Sequence, residues 1–176
     1  MCHNLGADES LDPFTPNQYI HGAKYKFGAK NASLSMADDQ SNPNVTSWPS
    51  FPYQSSGNWN MTTNNPCPAG YRVPTLVEWQ GINNPSLNPK SVPSGASWSN
   101  NVSNYTSGLK FGDNLFLPAA GSRNISGSLN HRGLYGYYWA STQNSNNGYF
   151  LLFTSSSASI NSANRPGGFS VRCVAE

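Results

Sequence analysis

Charge is what this 176-residue chain has least of: Asp, Glu, Lys and Arg make up 10% of it and sum to +2. So few cations give no electrostatic grip on a polyanion, and no nucleic-acid partner is expected. No apolar run approaches the roughly 20 residues of a membrane helix, so direct membrane insertion is not expected either. Met1-Cys2-His3 does not have the form of a signal peptide, and so abrupt an opening suggests the C-terminal module of a longer chain.

Cysteine is equally scarce. Cys2, Cys67 and Cys173 are too few for a disulfide scaffold and lack the paired spacing of a zinc site. Three reduced thiols and one bridge with one free thiol both remain open. The bridge expected is Cys67 to Cys173, because each lies beside an expected core strand and the closed loop would be long, worth about 4 kcal/mol in the chain-entropy model.

Groups for catalysis are thin as well. His3, His21 and His131 have no visible Ser or Cys partner, and read as satisfied surface residues. Asp8-Glu9, Asp38-Asp39 and Gly112-Asp113-Asn114 fall in expected turns. No reaction, cofactor or metal site is expected.

The chain is rich instead in Asn, Ser and Thr, with 12% aromatic residues. Mean hydropathy is −0.54, but five Trp, nine Tyr and eight Phe argue against disorder, since disordered chains are poor in aromatics. The composition suits one loop-rich domain over residues 1–176 that binds through hydrogen bonds and ring contacts.

Along the chain, Cys2 to Ala7 reads as a short edge strand, and the two prolines of Asp12 to Asn17 as a turn. His21 to Gly28 alternates weakly, as a strand or a docking loop. From Asn42 to Pro68 prolines alternate with Trp48, Phe51, Tyr53 and Trp59, an irregular segment pinned by its rings. Tyr71 to Val73 reads as a strand. Thr75 and Glu78 then form a capping box for a helix over Leu76 to Ile82, with Leu76, Trp79 and Ile82 on one face. Trp98, Tyr105, Leu109 and Phe111 anchor the polar stretch that follows, and Leu115 to Pro118 returns to the core.

In Tyr149 to Thr154 the period of two puts Tyr149, Leu151 and Phe153 on one face and Phe150, Leu152 and Thr154 on the other. One face enters a core; the other packs under a second layer or meets a partner. Ala158 to Asn164 has little hydrophobic drive, Gly167-Gly168 makes a turn, and Phe169 to Val174 reads as a central strand.

CPAGYRVPTLVEW, Cys67 to Trp79, resembles the CPxGWxxPTxxEW signature of the Fibrobacter succinogenes major paralogous domain. HGAKYKFGAK, LPAAGSR, YYWAST and GFSVRCV resemble its other segments in the same order. The resemblance implies an α+β, C-type-lectin-like fold: a twisted antiparallel sheet core, one or two helices and long irregular loops. The end of the chain is similar to the variable proteins of diversity-generating retroelements, with Arg132-Gly133, Gly136, Trp139, Ser141-Thr142, Tyr149, Leu151, Phe153, Arg165 and Gly168 to Cys173 as scaffold.

That similarity makes Leu117 to Cys173 a variable ligand-binding region. Its substitutable positions would be Asn124, Ile125, His131, Leu134, Tyr135, Tyr137, Phe150, Leu152, Thr154, Ser159, Ser162, Ala163 and Gly167. Such retroelements mutate adenines, and an AAY asparagine codon altered there yields every residue type in this set. Rigid rings among adaptable polar groups are also the chemistry of antibody paratopes.

The implied function is a ligand- or receptor-binding module on a phage tail or bacterial surface, extracellular, with a protein or glycan partner on a cell surface. A surface lectin or fimbrial-type adhesin that is not diversified is the alternative. The formylglycine-generating enzymes of the same broad fold need a reactive cysteine pair, and the calcium-binding triplets of true C-type lectins are missing from this sequence.

Overall fold

Short strands dominate the computed structural model, which describes every residue except 49–51, 53 and 55. In chain order the elements are β1 (Tyr25–Lys26), α1 (Met36–Ser41), α2 (Met61–Asn64), β2 (Tyr71–Arg72), α3 (Leu76–Asn83), β3 (Lys90–Ser91), β4 (Gly108–Phe111) and β5 (Leu115–Pro118). The second half follows with β6 (Ser122–Arg123), β7 (Leu129–Asn130), β8 (Gly136–Asn144), β9 (Asn147–Phe153), β10 (Ala158–Asn164), β11 (Gly168–Phe169) and β12 (Val174–Ala175). The strands pair antiparallel into sheets ordered β10-β9-β8, β1-β11-β6-β7, β3-β4-β5 and β12-β2. The chain is a sheet-rich α+β protein.

The β8-β9-β10 sheet separates two hydrophobic clusters. Trp139 and Phe150, opposite one another in register, join Phe27, Trp59, Val73, Phe169 and Val171 on one face. Tyr138, Leu151 and Phe153 join Trp79, Leu109, Phe111 and Leu117 on the other. Burying each large side chain contributes about 1.5–3 kcal/mol, and the indoles do so without stranding a donor. Trp139 Nε1 donates to the Tyr25 carbonyl at 2.7 Å and Trp79 Nε1 to that of Trp139 at 3.1 Å.

Phe150 was expected to face outward and does not. It is 5% exposed, because β11 lays Phe169 across that face of the sheet with its ring centroid 4.8 Å from that of Phe150. The weakly apolar Ala158–Asn164 segment is a full strand, since the turn at Thr154–Ser157 folds it back along β9 and Ile160 packs on the second cluster.

The capping box of α3 is complete: Thr75 Oγ1 accepts from Glu78 N, and Glu78 Oε2 accepts from Thr75 N at 2.7 Å. Glu78 also holds Arg72 through two bonds of 2.8 Å. Helices α1 and α2 were not expected. Ser35 and Asn60 cap them, each accepting a backbone N–H of the first turn.

Cys2 to Ala7 forms no strand; instead Leu5 N donates to the Val171 carbonyl and the Leu5 carbonyl accepts from Ala23 N, both at 2.9 Å. Phe169 to Val174 is split between β11, which lies between β1 and β6, and β12. Trp48 and Trp59 are buried, Trp48 Nε1 donating to the Pro166 carbonyl at 2.9 Å. Phe51 and Tyr53 lie outside the described residues. Cys67 and Cys173 are joined by a disulfide, and Cys2 is an exposed free thiol.

His21 is not a satisfied surface residue: it is 1% exposed, edge-on to Tyr105 at 5.1 Å. Neither ring nitrogen makes a hydrogen bond of good geometry among the described residues. Burial, reinforced by Lys24 and Arg132, pushes its pKa down to about 3. Below pH 6.5 the unfolded chain therefore binds a proton that the folded chain refuses, and stability falls with pH. Urea unfolding of the wild type should lose about 1.5 kcal/mol more between pH 6.5 and 5 than that of His21→Leu. An unchanged slope in the variant would show that His21 does not titrate this way.

Candidate ligand-binding site

The β6–β7 hairpin lines, with Tyr137 of β8, Ala163 and Asn164 of β10 and Phe169 of β11, a cleft of about 320 Å³. Its aromatic floor begins with Tyr137, whose ring lies 5.7 Å from that of Phe150 and 5.1 Å from that of Phe169. The Tyr137 hydroxyl is 3.0 Å from His131 Nδ1, and the His131 ring lies 4.8 Å from that of Tyr135. Burial, with Tyr135 adding to it, raises the Tyr137 phenol to about 12, so it is neutral at physiological pH. Rings half-covered and braced from below lose little freedom when a ligand arrives.

The rim is the loop between β6 and β7. Asn124 Oδ1 accepts from Ser126 N at 2.9 Å, Ser126 Oγ at 2.8 Å and Ser128 N at 3.0 Å, so this carbonyl holds the turn. Gly127 sits at φ +86°, where a Cβ would lie 2.2 Å from the Val45 carbonyl oxygen, so no other residue fits. The turn displays Ile125 at 48% exposure.

One carboxylate secures both ends of this hairpin. Arg123 Nε donates to Asp39 Oδ1 at 2.7 Å and Arg132 Nη2 to Asp39 Oδ2 at 2.5 Å, all three side chains being at most 1% exposed. Arg123 also donates to the carbonyls of Asp39, Pro43 and Gly127, and Arg132 to those of Asp39 and Val102. Burial alone would raise the Asp39 carboxyl, but Lys24, Arg132 and Arg123 outweigh it and hold it below the usual carboxylate range. Asp38-Asp39 is thus no solvated turn: Asp39 is a buried counter-ion on α1.

The charge of Arg123 is spent inside the protein, although its residue lines the cleft. What faces a ligand is neutral. The Ser122 hydroxyl is engaged with that of Tyr137, whereas the side chains of Asn130 and Asn164 make no direct hydrogen bond among the described residues and keep their donors and acceptors, as does Asn124 Nδ2. A second cleft, of about 450 Å³, continues past Ile125 and Asn164 to Asn146, Asn147 and Pro166. Arg165 there is also spent, on the carbonyls of Gln54, Gly57, Ser145 and Asn146 and on Gln143 Oε1. No group of three or more His, Cys, Asp or Glu able to hold a metal ion occurs among the described residues.

Of the positions chosen from sequence, Asn124, Ile125, His131, Tyr137, Ala163 and Gly167 line the cleft together, and Tyr135 joins them through His131. Leu152 and Ser159 continue the Tyr137 row across the sheet, Leu152 half-buried and Ser159 exposed. Leu134 is half-buried in the turn between His131 and Tyr135. Thr154 fixes the β9–β10 turn, its Oγ1 accepting from Ser156 N at 3.2 Å and Ser157 N at 3.1 Å.

Two positions are corrected. Phe150 is floor rather than contact surface, covered by Tyr137 and Phe169. Ser162 lies on the opposite face of β10, paired with Tyr149 and accepting from Asn144 Nδ2 at 3.0 Å, since neighbours in a strand cannot share a face and Ala163 takes the cleft side. Ser122, Asn130, Asn164 and Phe169 are cleft residues that the sequence did not single out. They arrive from separate strands, and nothing local marks them.

These features define a class: a sheet-rich α+β domain with a rigid, uncharged cleft of rings and amides. Residues 15–175 match the Fibrobacter succinogenes major domain, and the chain belongs to that family. No curated protein and no solved structure matches it.

Asp39→Asn removes the counter-ion and leaves two buried guanidinium groups uncompensated, which should cost about 3–5 kcal/mol of folding stability in urea unfolding. A loss under 1 kcal/mol would mean the ion pairs are not what holds the hairpin.

Proposed function

We propose that this chain is a binding module of C-type-lectin-like architecture, extracellular, whose cleft takes a neutral protein or glycan ligand on a cell surface without cofactor or chemistry. The observation that carries the reading is the pairing of a braced aromatic floor with side-chain amides that the fold leaves unspent. Rings left half-exposed beside amides that only water uses offer a partner both apolar area and hydrogen bonds. Cleft positions contributed by turns and strand ends over a fixed interior also suit a retroelement variable protein, because side chains there can change without disturbing the core.

The second reading, an adhesin with a fixed specificity for a neutral saccharide, is favoured by the free side-chain amides of Asn130 and Asn164, which match the mixed donors and acceptors of sugar hydroxyls. Both readings predict binding without calcium.

A glycan and surface-protein array, run with and without chelator, should give chelator-insensitive binding that falls at least about tenfold in the triple variant Ile125→Ser, Tyr135→Ser and Tyr137→Ser, an expected loss of at least about 1.4 kcal/mol. Binding that survives all three substitutions would remove the site. Loss of binding with chelator would point to a calcium lectin instead. A near-identical genomic template differing only at adenines in the codons of these positions would decide for diversification, and its absence for a fixed adhesin.

A further inference from the structure

The two edges of the β8-β9-β10 sheet are treated differently. Along β8, Trp139 N donates to the Ser170 carbonyl at 3.1 Å and Ser141 N to that of Pro74 at 2.7 Å, so this edge is closed by the chain itself. Along β10 no such bond is made by Ile160 or Ser162 outside the β9–β10 ladder, among the described residues. The phase of that ladder is set at its turn, where Thr154 N donates to the Ser157 carbonyl at 2.8 Å. Counting from there, Ser159, Asn161 and Ala163 aim their backbone groups at β9, while Ala158, Ile160 and Ser162 aim theirs outward. The bond from Asn83 Nδ2 to the Ala158 carbonyl, 3.2 Å, comes from that outer side and agrees with the count.

Exposed edges are normally guarded by charge, proline or a bulge. β10, ASINSAN, has no charge and no proline, and its register against β9 runs unbroken from Ala158 to Asn164. We propose that this edge pairs with the same edge of a second copy of the chain, antiparallel about a two-fold axis at Asn161. Ile160 of each copy then exchanges both backbone hydrogen bonds with Ser162 of the other. Ser159 falls opposite Ala163, and Asn161 opposite its own copy. All are uncharged, so no like charges meet along the seam, and Asn83 of α3 occupies the outer side only at Ala158, beyond the Ile160–Ser162 pair. Asn161 Nδ2 already donates to Ser159 Oγ at 2.8 Å, which leaves its carbonyl oxygen and second N–H for the facing Asn161.

The two-fold axis is perpendicular to the sheet, so the joined β8-β9-β10 sheets keep the same face on the same side. Both clefts therefore open from one side of the dimer, a bivalent arrangement that strengthens attachment to a surface bearing many ligands. The pairing rests on the backbone edge alone and does not depend on what the clefts bind.

Sedimentation velocity over a concentration series reaching the millimolar range should show a reversible monomer–dimer equilibrium. Ser162→Pro removes an outward N–H that β9 does not use, so circular dichroism should be unchanged while the dimer weakens at least about tenfold. Ser159→Lys, at an exposed position, keeps the backbone intact and should weaken it through charge, with partial recovery in salt. A chain that stays monomeric throughout, or a dimer indifferent to both substitutions, overturns the proposal; so does an edge that takes only a foreign extended peptide.

Discussion

The carboxylate of Asp39 is the constraint on which the rest depends. It lies in the interior between the guanidinium groups of Arg123 and Arg132. A buried ion pair of this kind contributes little net stability relative to an apolar core of the same shape, but it is unforgiving of position, because a buried charge without its partner is costly. That intolerance gives the hairpin carrying Asn124, Ile125 and His131 its fixed place at the cleft. Arg165 works likewise under the neighbouring cleft, ordering irregular backbone around Gln54, Gly57, Ser145 and Asn146 through their carbonyls.

Guanidinium groups therefore do structural work in a protein poor in charge. Regular strands account for much of the second half of the chain, but the long connections have few ladder partners for their polar backbone groups. An arginine with five donors satisfies several carbonyls at once. The cleft is left to neutral side chains, which suits recognition there through hydrogen bonds and ring faces more than through charge.

Some of this was legible in the sequence. The capping box of Thr75 and Glu78, the alternation of Tyr149 to Phe153 and the family motifs are local patterns, set by periods of two and 3.6 residues that survive in a linear text. The role of Asp39 was not legible, because its partners are 84 and 93 residues away. Phe150 was misplaced for a related reason. Alternation tells which residues share a face but not what covers that face, and here Phe169 of a later strand covers it. Ser162 and Ala163 show the opposite limit: as neighbours in β10 they are forbidden one face by the period alone.

By itself the sequence determined the elements whose cause is local: where α3 begins, which residues of β9 stand together, and how few charges the chain carries. Only the tertiary structure decided which rings became floor and which became surface, and which arginines were spent inside. Those outcomes depend on contacts between segments far apart in the chain, and burial is a property of what comes to lie on top, which no single segment carries.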